Sequence, residues 1–182
     1  MGILFANNTG EMLLDAFNPQ TAAVRAIRLA RKDQPLFFEE GPIGDMEREA
    51  LIEGLPQWCA SRSGYLYLAA NASWIGLYKV GCTRRSVAMR MAQLNNEGVA
   101  TPWVPVASWS VYDAHGLEAL AHRACAPWQV KGELFQAPYA ELMARVSDCI
   151  VQDRARLERC IGRKLMPGAL DEMLGSVVCQ IH

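Results

Sequence analysis

Hydrophobic and polar positions switch repeatedly between a helical and a strand period along this chain. After residue 18 the apolar positions fall at helical spacing. Ala22, Ala23, Ala26, Ile27 and Ala30 recur on one side, with Arg25, Arg28, Arg31 and Lys32 largely on the other. Asn18-Pro19 supplies an N-cap and a proline at the first helical position. A stop at Gln34-Pro35 is followed by the short apolar piece LFFEEG. Asp45 is then placed to cap a second helix, MEREALIEGL, which Pro56 is expected to end. From Gly64 the period drops to two. GYLYLAA and IGLYKVG alternate as strands, joined by the turn Asn71-Ala72-Ser73-Trp74.

The helical period then returns in SVAMRMAQLNN, with Val87, Met91 and Leu94 on one face and Gly98 as a stop. VPVASWSVY reads as a third strand, and Asp113 introduces a helix, HGLEALAHRACAPW, that ends at Pro127. GELFQ is a short extended piece. After Pro138, the positions Leu142, Val146, Ile150, Leu157 and Ile161 mark a long helix interrupted near Gly162, and DEMLGSVV a last short one. The pattern predicts an α+β chain in three parts: a helical N-terminal extension over 1–61, a β-β-α-β-α domain over 62–137, and C-terminal helices over 138–182 that pack on that domain.

Composition narrows the class. With 182 residues, 51% of them hydrophobic and 20% charged, the chain can bury a core without covalent staples. The six cysteines are scattered without a CxxC pair, and there are only three histidines, which argues against a zinc finger. The N-terminus lacks the basic start and apolar core of a signal peptide, and no apolar run is long enough to span a bilayer. Free thiols in a reducing cytoplasm, with no membrane partner, are the expectation. The net charge of −1 excludes a general polyanion binder, but the charge is unevenly spread. Residues 1–61 hold 5 Lys/Arg against 9 Asp/Glu, whereas residues 62–136 hold 7 against 4. Positive potential therefore sits on the middle segment, where a polyanion would be drawn. The acidic N-terminal helices could shield that face, hold a protein partner or pack as an added layer.

That middle segment also holds the residues with chemistry to offer. Tyr65 and Tyr67 share one face of the first strand, and Tyr78, Lys79 and Gly81 lie on the second. Arg90 is on the next helix, Glu118 and His122 sit four apart on the following one, and Glu133 is at the final extended piece. Singly each is an ordinary strand or surface residue; the order is what carries information. YLY, GLYKVGCT, MRMAQL, LEALAH and ELF, taken together over about residues 63–137, resemble the GIY-YIG nuclease superfamily in its short phage and bacterial branch. The chain departs from the founding motif in having Tyr65 for its first Gly and Lys79 for its second Tyr. Leu134 also stands where the branch has an aromatic.

The resemblance implies a three-stranded antiparallel sheet and a metal-dependent endonuclease acting on DNA. It implies that Tyr67 touches the attacking water, that Arg90 clamps the phosphate, and that Glu118 holds a single divalent ion, Mg²⁺ or Mn²⁺. Tyr65, Tyr78, His122 and Glu133 are the further participants it suggests. Lys79 is expected to lower a tyrosine pKa or to contact phosphate, and Arg84 and Arg85, with Lys79 and Arg90, to meet DNA. These types match the needs of phosphodiester hydrolysis: an activated water, positive charge at the phosphate oxygens and a cation at the leaving oxygen. The competing reading is a module of the same fold that binds nucleic acid or a protein without cutting.

Overall fold

The computed structural model describes residues 17–96, 100–165, 168–175 and 178–182. It divides into two compact units, one formed by the N-terminal residues to 61 with 154–174, the other by 62–153 with 175–182.

The first unit is helical. Helix α1 (Pro19–Ala30) begins where the sequence places it, with the Asn18 side chain accepting from the amides of Gln20 and Thr21. Helix α2 (Pro42–Arg62) starts three residues before Asp45 and runs straight through Pro56. Pro56 is exposed, while Leu55, Trp58 and Cys59 around it are buried. The amide lost at Pro56 thus falls on the solvent side, where the orphaned carbonyl can turn to water, and the apolar face on either side holds the helix together. Gly54 is fixed by close approach, since a Cβ there would lie 1.7 Å from the Pro19 carbonyl oxygen.

The second unit is built on a sheet of six strands, where the sequence led us to expect three. Strands β1 (Gly64–Asn71), β2 (Leu77–Thr83) and β3 (Trp103–Val111) are the expected ones. Three-residue strands β4 (Gln129–Lys131), β5 (Leu134–Gln136) and β6 (Cys179–Ile181) extend it to the order β4-β5-β2-β1-β3-β6, every pair antiparallel. A strand of three residues cannot display a period, so β4 and β6 left no signal in the sequence. The α+β class stands.

Two helices pack on this sheet and frame the end of β2. Helix α3 (Val87–Asn95) is capped by Ser86 and lays Val87, Met91 and Leu94 against Tyr67, Ala69 and Trp103. Helix α4 (Ala114–Ala124) is capped by Asp113, itself buried and paired with Arg62 at 3.8 Å. Helix α5 (Tyr139–Leu157) carries the buried Leu142, Val146 and Ile150 and ends in a π turn at Glu158–Gly162, beside the break expected at Gly162. The short helix α6 (Ala169–Leu174) stops before Gly175. The expected stop at Gly98, and Ser176 and Val177 of the expected tail helix, lie outside the described residues. All six cysteines are free thiols, and no helix among the described residues is long and apolar enough to cross a membrane.

Candidate active site at the open edge of strand β2

Strand β5 pairs with β2 only from Leu77 to Lys79, so the β2 edge beyond it is open. In an antiparallel strand, alternate residues turn both amide and carbonyl to the same edge. Val80 and Cys82 are the ones left facing outward here. The Val80 amide is met by the Glu133 carbonyl at 3.0 Å. The Val80 carbonyl lies 2.9 Å from His122 Nε2, and the Cys82 amide donates to Glu118 Oε1 at 2.8 Å. The spacing of Glu118 and His122 now has a geometric cause. Residues four apart share one face of α4, and alternate residues of β2 share one edge, so an i, i+4 pair can serve two successive outward residues of the strand.

Tyr67 pairs directly across from Gly81. The phenol leans over the glycine so closely that a Cβ at position 81 would sit 2.5 Å from Tyr67 Oη and 2.7 Å from Cζ. Gly81 is therefore the recess that receives the ring. Tyr67 is fully buried, and neither its hydroxyl nor Arg90 Nε, also buried, has a well-formed hydrogen bond. Burial holds the phenol above its ordinary pKa; Arg90 beside it pulls the other way, and Glu118 adds to the rise. The cation that acts on Tyr67 is Arg90 and not Lys79, and desolvation outweighs it. Lys79 is itself depressed, first by burial and then by Arg90, with Glu118 opposing. Its ammonium is in close contact with the Glu133 carboxylate. Tyr67, Lys79, Arg90 and Glu118 thus form one electrostatic neighbourhood.

The remaining candidates fall elsewhere. Tyr65 is half-buried on the same face as Tyr67, two residues along. Tyr78 is of opposite parity to Gly81, faces away from Tyr67 and packs on Tyr139 with ring centroids 5.8 Å apart. His122 packs on Phe135, at 5.2 Å, while holding Val80. Arg84 and Arg85 are exposed on the turn from β2 to α3, where the Arg85 amide donates to Thr83 Oγ1.

The sequence reading missed Cys82 and His115. Cys82 Sγ lies 3.2 Å from Glu118 Oε2 and 3.1 Å from His115 Nδ1, and burial followed by the Glu118 charge pushes its thiol pKa up to about 12. His115 is three residues before Glu118 and so on the same helix face, the one signal that could have found it. No curated protein and no solved structure matches the chain. The model of the T5orf172 domain, in contrast, matches residues 64–160. That span takes in every element from β1 through β5 that shapes the site, and it covers just over half of the sequence. The chain belongs to the T5orf172 domain family.

Proposed function

We propose that this chain is a divalent-metal-dependent DNA endonuclease of GIY-YIG type. The observation that carries the reading is the adjacency of Tyr67 and Arg90: the guanidinium acts on the phenol as a hydrogen-bond partner and a charge, yet Tyr67 Oη and Arg90 Nε, both buried, lack a well-formed hydrogen bond. A native fold satisfies nearly all of its buried polar atoms, and two so poorly satisfied at one place are matched by a ligand with acceptor oxygens and a water, such as a phosphodiester. The ordered motifs that resemble the GIY-YIG superfamily, all of which lie within the matched domain, agree with this. So does the placement of exposed Arg84 and Arg85 just before α3.

Glu118 fits the role of ion holder. Its two carboxylate oxygens offer about four acceptor positions. The Cys82 amide and thiol use two of them, leaving lone pairs for a cation that keeps most of its water, as Mg²⁺ does. A bound ion would supply Lewis acidity at the phosphate. Arg90 would hold the phosphate's charge. Tyr67, a phenol whose burial disfavours ionisation further, would orient the attacking water by hydrogen bonding and not as a phenolate.

The test is cleavage of single-stranded, duplex and branched oligonucleotides with Mg²⁺ or Mn²⁺ by the parent, Tyr67→Phe and Arg90→Ala. The expected result is cutting by the parent and a loss on the order of a hundredfold or more in each variant, with Arg90→Ala also losing affinity. Binding without cutting under every condition would leave a nucleic-acid-binding module in its place.

A further inference from the structure

Glu118 is one corner of a triangle whose other corners are not oxygen. Cys82 Sγ, His115 Nδ1 and Glu118 Oε2 stand 3.1, 3.2 and 3.9 Å apart, and the three ligand atoms lie within one coordination sphere of each other. Tetrahedral zinc bound at about 2.3 Å to sulfur and about 2.0–2.2 Å to nitrogen and oxygen holds neighbouring donors about 3.3–3.6 Å apart. The two sulfur distances are a few tenths of an ångström shorter than those lengths and the nitrogen–oxygen distance a few tenths longer, differences of the size that a small rotation of side chains takes up.

We propose that Cys82, His115 and Glu118 form a binding site for a thiophilic divalent cation of the zinc class, distinct in its donor set from a Mg²⁺ site. The inference rests on the nuclease reading only in that both assign a cation to Glu118. A thiol and an imidazole select borderline metals over hard ones; Mg²⁺ gains nothing from either. The ligand is also held in place from behind, since the Cys82 amide fixes Glu118 Oε1 and so aims Oε2 at the sulfur. An entry path exists on the His115 side, where that side chain is 67% exposed against 19% for Glu118. Three protein donors leave the fourth tetrahedral position to water or an incoming ligand, the coordination of reactive zinc rather than structural zinc. On binding, the S–H bond of Cys82 breaks, the sulfur keeps the electron pair for the metal, and the proton leaves to solvent.

The probe is Co²⁺ titrated into the reduced, chelator-treated full chain. The parent should bind one equivalent with a thiolate-to-metal charge-transfer band in the near ultraviolet and tetrahedral d–d bands in the visible. Zn²⁺ should bleach both, and Mg²⁺ in large excess should not. Cys82→Ser should lose the charge-transfer band, and His115→Ala should weaken Co²⁺ binding at least tenfold, each keeping the parent's circular dichroism. His115 is exposed, so its variant tests the site even if Cys82→Ser fails to fold. A band of undiminished strength in Cys82→Ser, or Co²⁺ held no better than Mg²⁺ by the parent, overturns the proposal. The readout needs no cleavage. A parent that shows the cobalt bands but cuts nothing with Mg²⁺ loses the nuclease reading and keeps this site; one that cuts without binding Co²⁺ at sulfur does the reverse.

Discussion

Replacing Gly81 by alanine adds a single carbon to the molecule, and the structure says where it goes. The new Cβ would stand 2.5 Å from Tyr67 Oη, 2.7 Å from Cζ and 3.2 Å from Cε2. Comfortable contact is about 3.5–4.0 Å, so the ring must withdraw by roughly 1 Å. It has little freedom to do so. Strand β1 is paired on both sides, by β2 and β3, and the ring is packed among Ala69, Met91 and Trp103. Overpacking of this kind costs about 1–3 kcal/mol, which for a chain of this size lowers Tm by roughly 3–10 °C. The effect on chemistry should be larger. Displacing a positioned group by 1 Å costs on the order of a hundredfold in rate, so Gly81→Ala should fold, melt a little early and cut about as poorly as Tyr67→Phe. Melting by circular dichroism and single-turnover cleavage measure the two effects separately. The double variant should be no slower than Tyr67→Phe alone, because the displaced hydroxyl is already gone. Cleavage by Gly81→Ala within threefold of the parent would refute the claim that this glycine exists to seat the phenol.

Three further outcomes are expected. Glu118→Ala should lose cleavage by on the order of a hundredfold or more and also about 1–3 kcal/mol of stability, because the Cys82 amide is left without its acceptor. Glu118→Gln, which keeps a carbonyl oxygen there, should lose cleavage with most of the stability intact, and a denaturation series comparing the two checks the split. Replacing exposed Arg84 and Arg85 together by alanine should reduce the slope of log affinity against log salt on duplex DNA by up to about 1.8, at about 0.9 for each phosphate that is no longer neutralised; an unchanged slope would remove both from the interface. Pro56→Ala restores an amide to the solvent side of an intact helix and should raise stability by up to about 3 kcal/mol, read from the urea midpoint at constant m-value.

The sequence made legible whatever had a period or a cap. The long strands β1, β2 and β3 alternate, and α1, α3 and α4 announce themselves through Asn18, Ser86 and Asp113. Pro56 misled, because a propensity rule reads the residue without knowing which side of the helix faces water. At the site, motif order led to Tyr67, Lys79, Arg90 and Glu118, which share one electrostatic neighbourhood. It gave no warning that Tyr78, one residue out of phase with Lys79, would face the other way. Cys82 and His115 stayed hidden for a different reason. They are 33 residues apart, on a strand and on a helix, and only the register of α4 against the open edge of β2 brings them together.

That open edge has a consequence for the way the protein can change. A bare strand edge is a template for joining another chain, and proteins cover such edges by one device or another. Here the covering at Val80 and Cys82 is made by the side chains of His122 and Glu118. On the proposed function, position 118 therefore serves two ends, the solubility of the sheet and the chemistry of the site. A chain without the proposed catalysis would still need a hydrogen-bond acceptor there to keep its sheets from joining edge to edge. Substitutions at 118 that survive should be those, such as glutamine, that silence the chemistry and leave the edge sealed.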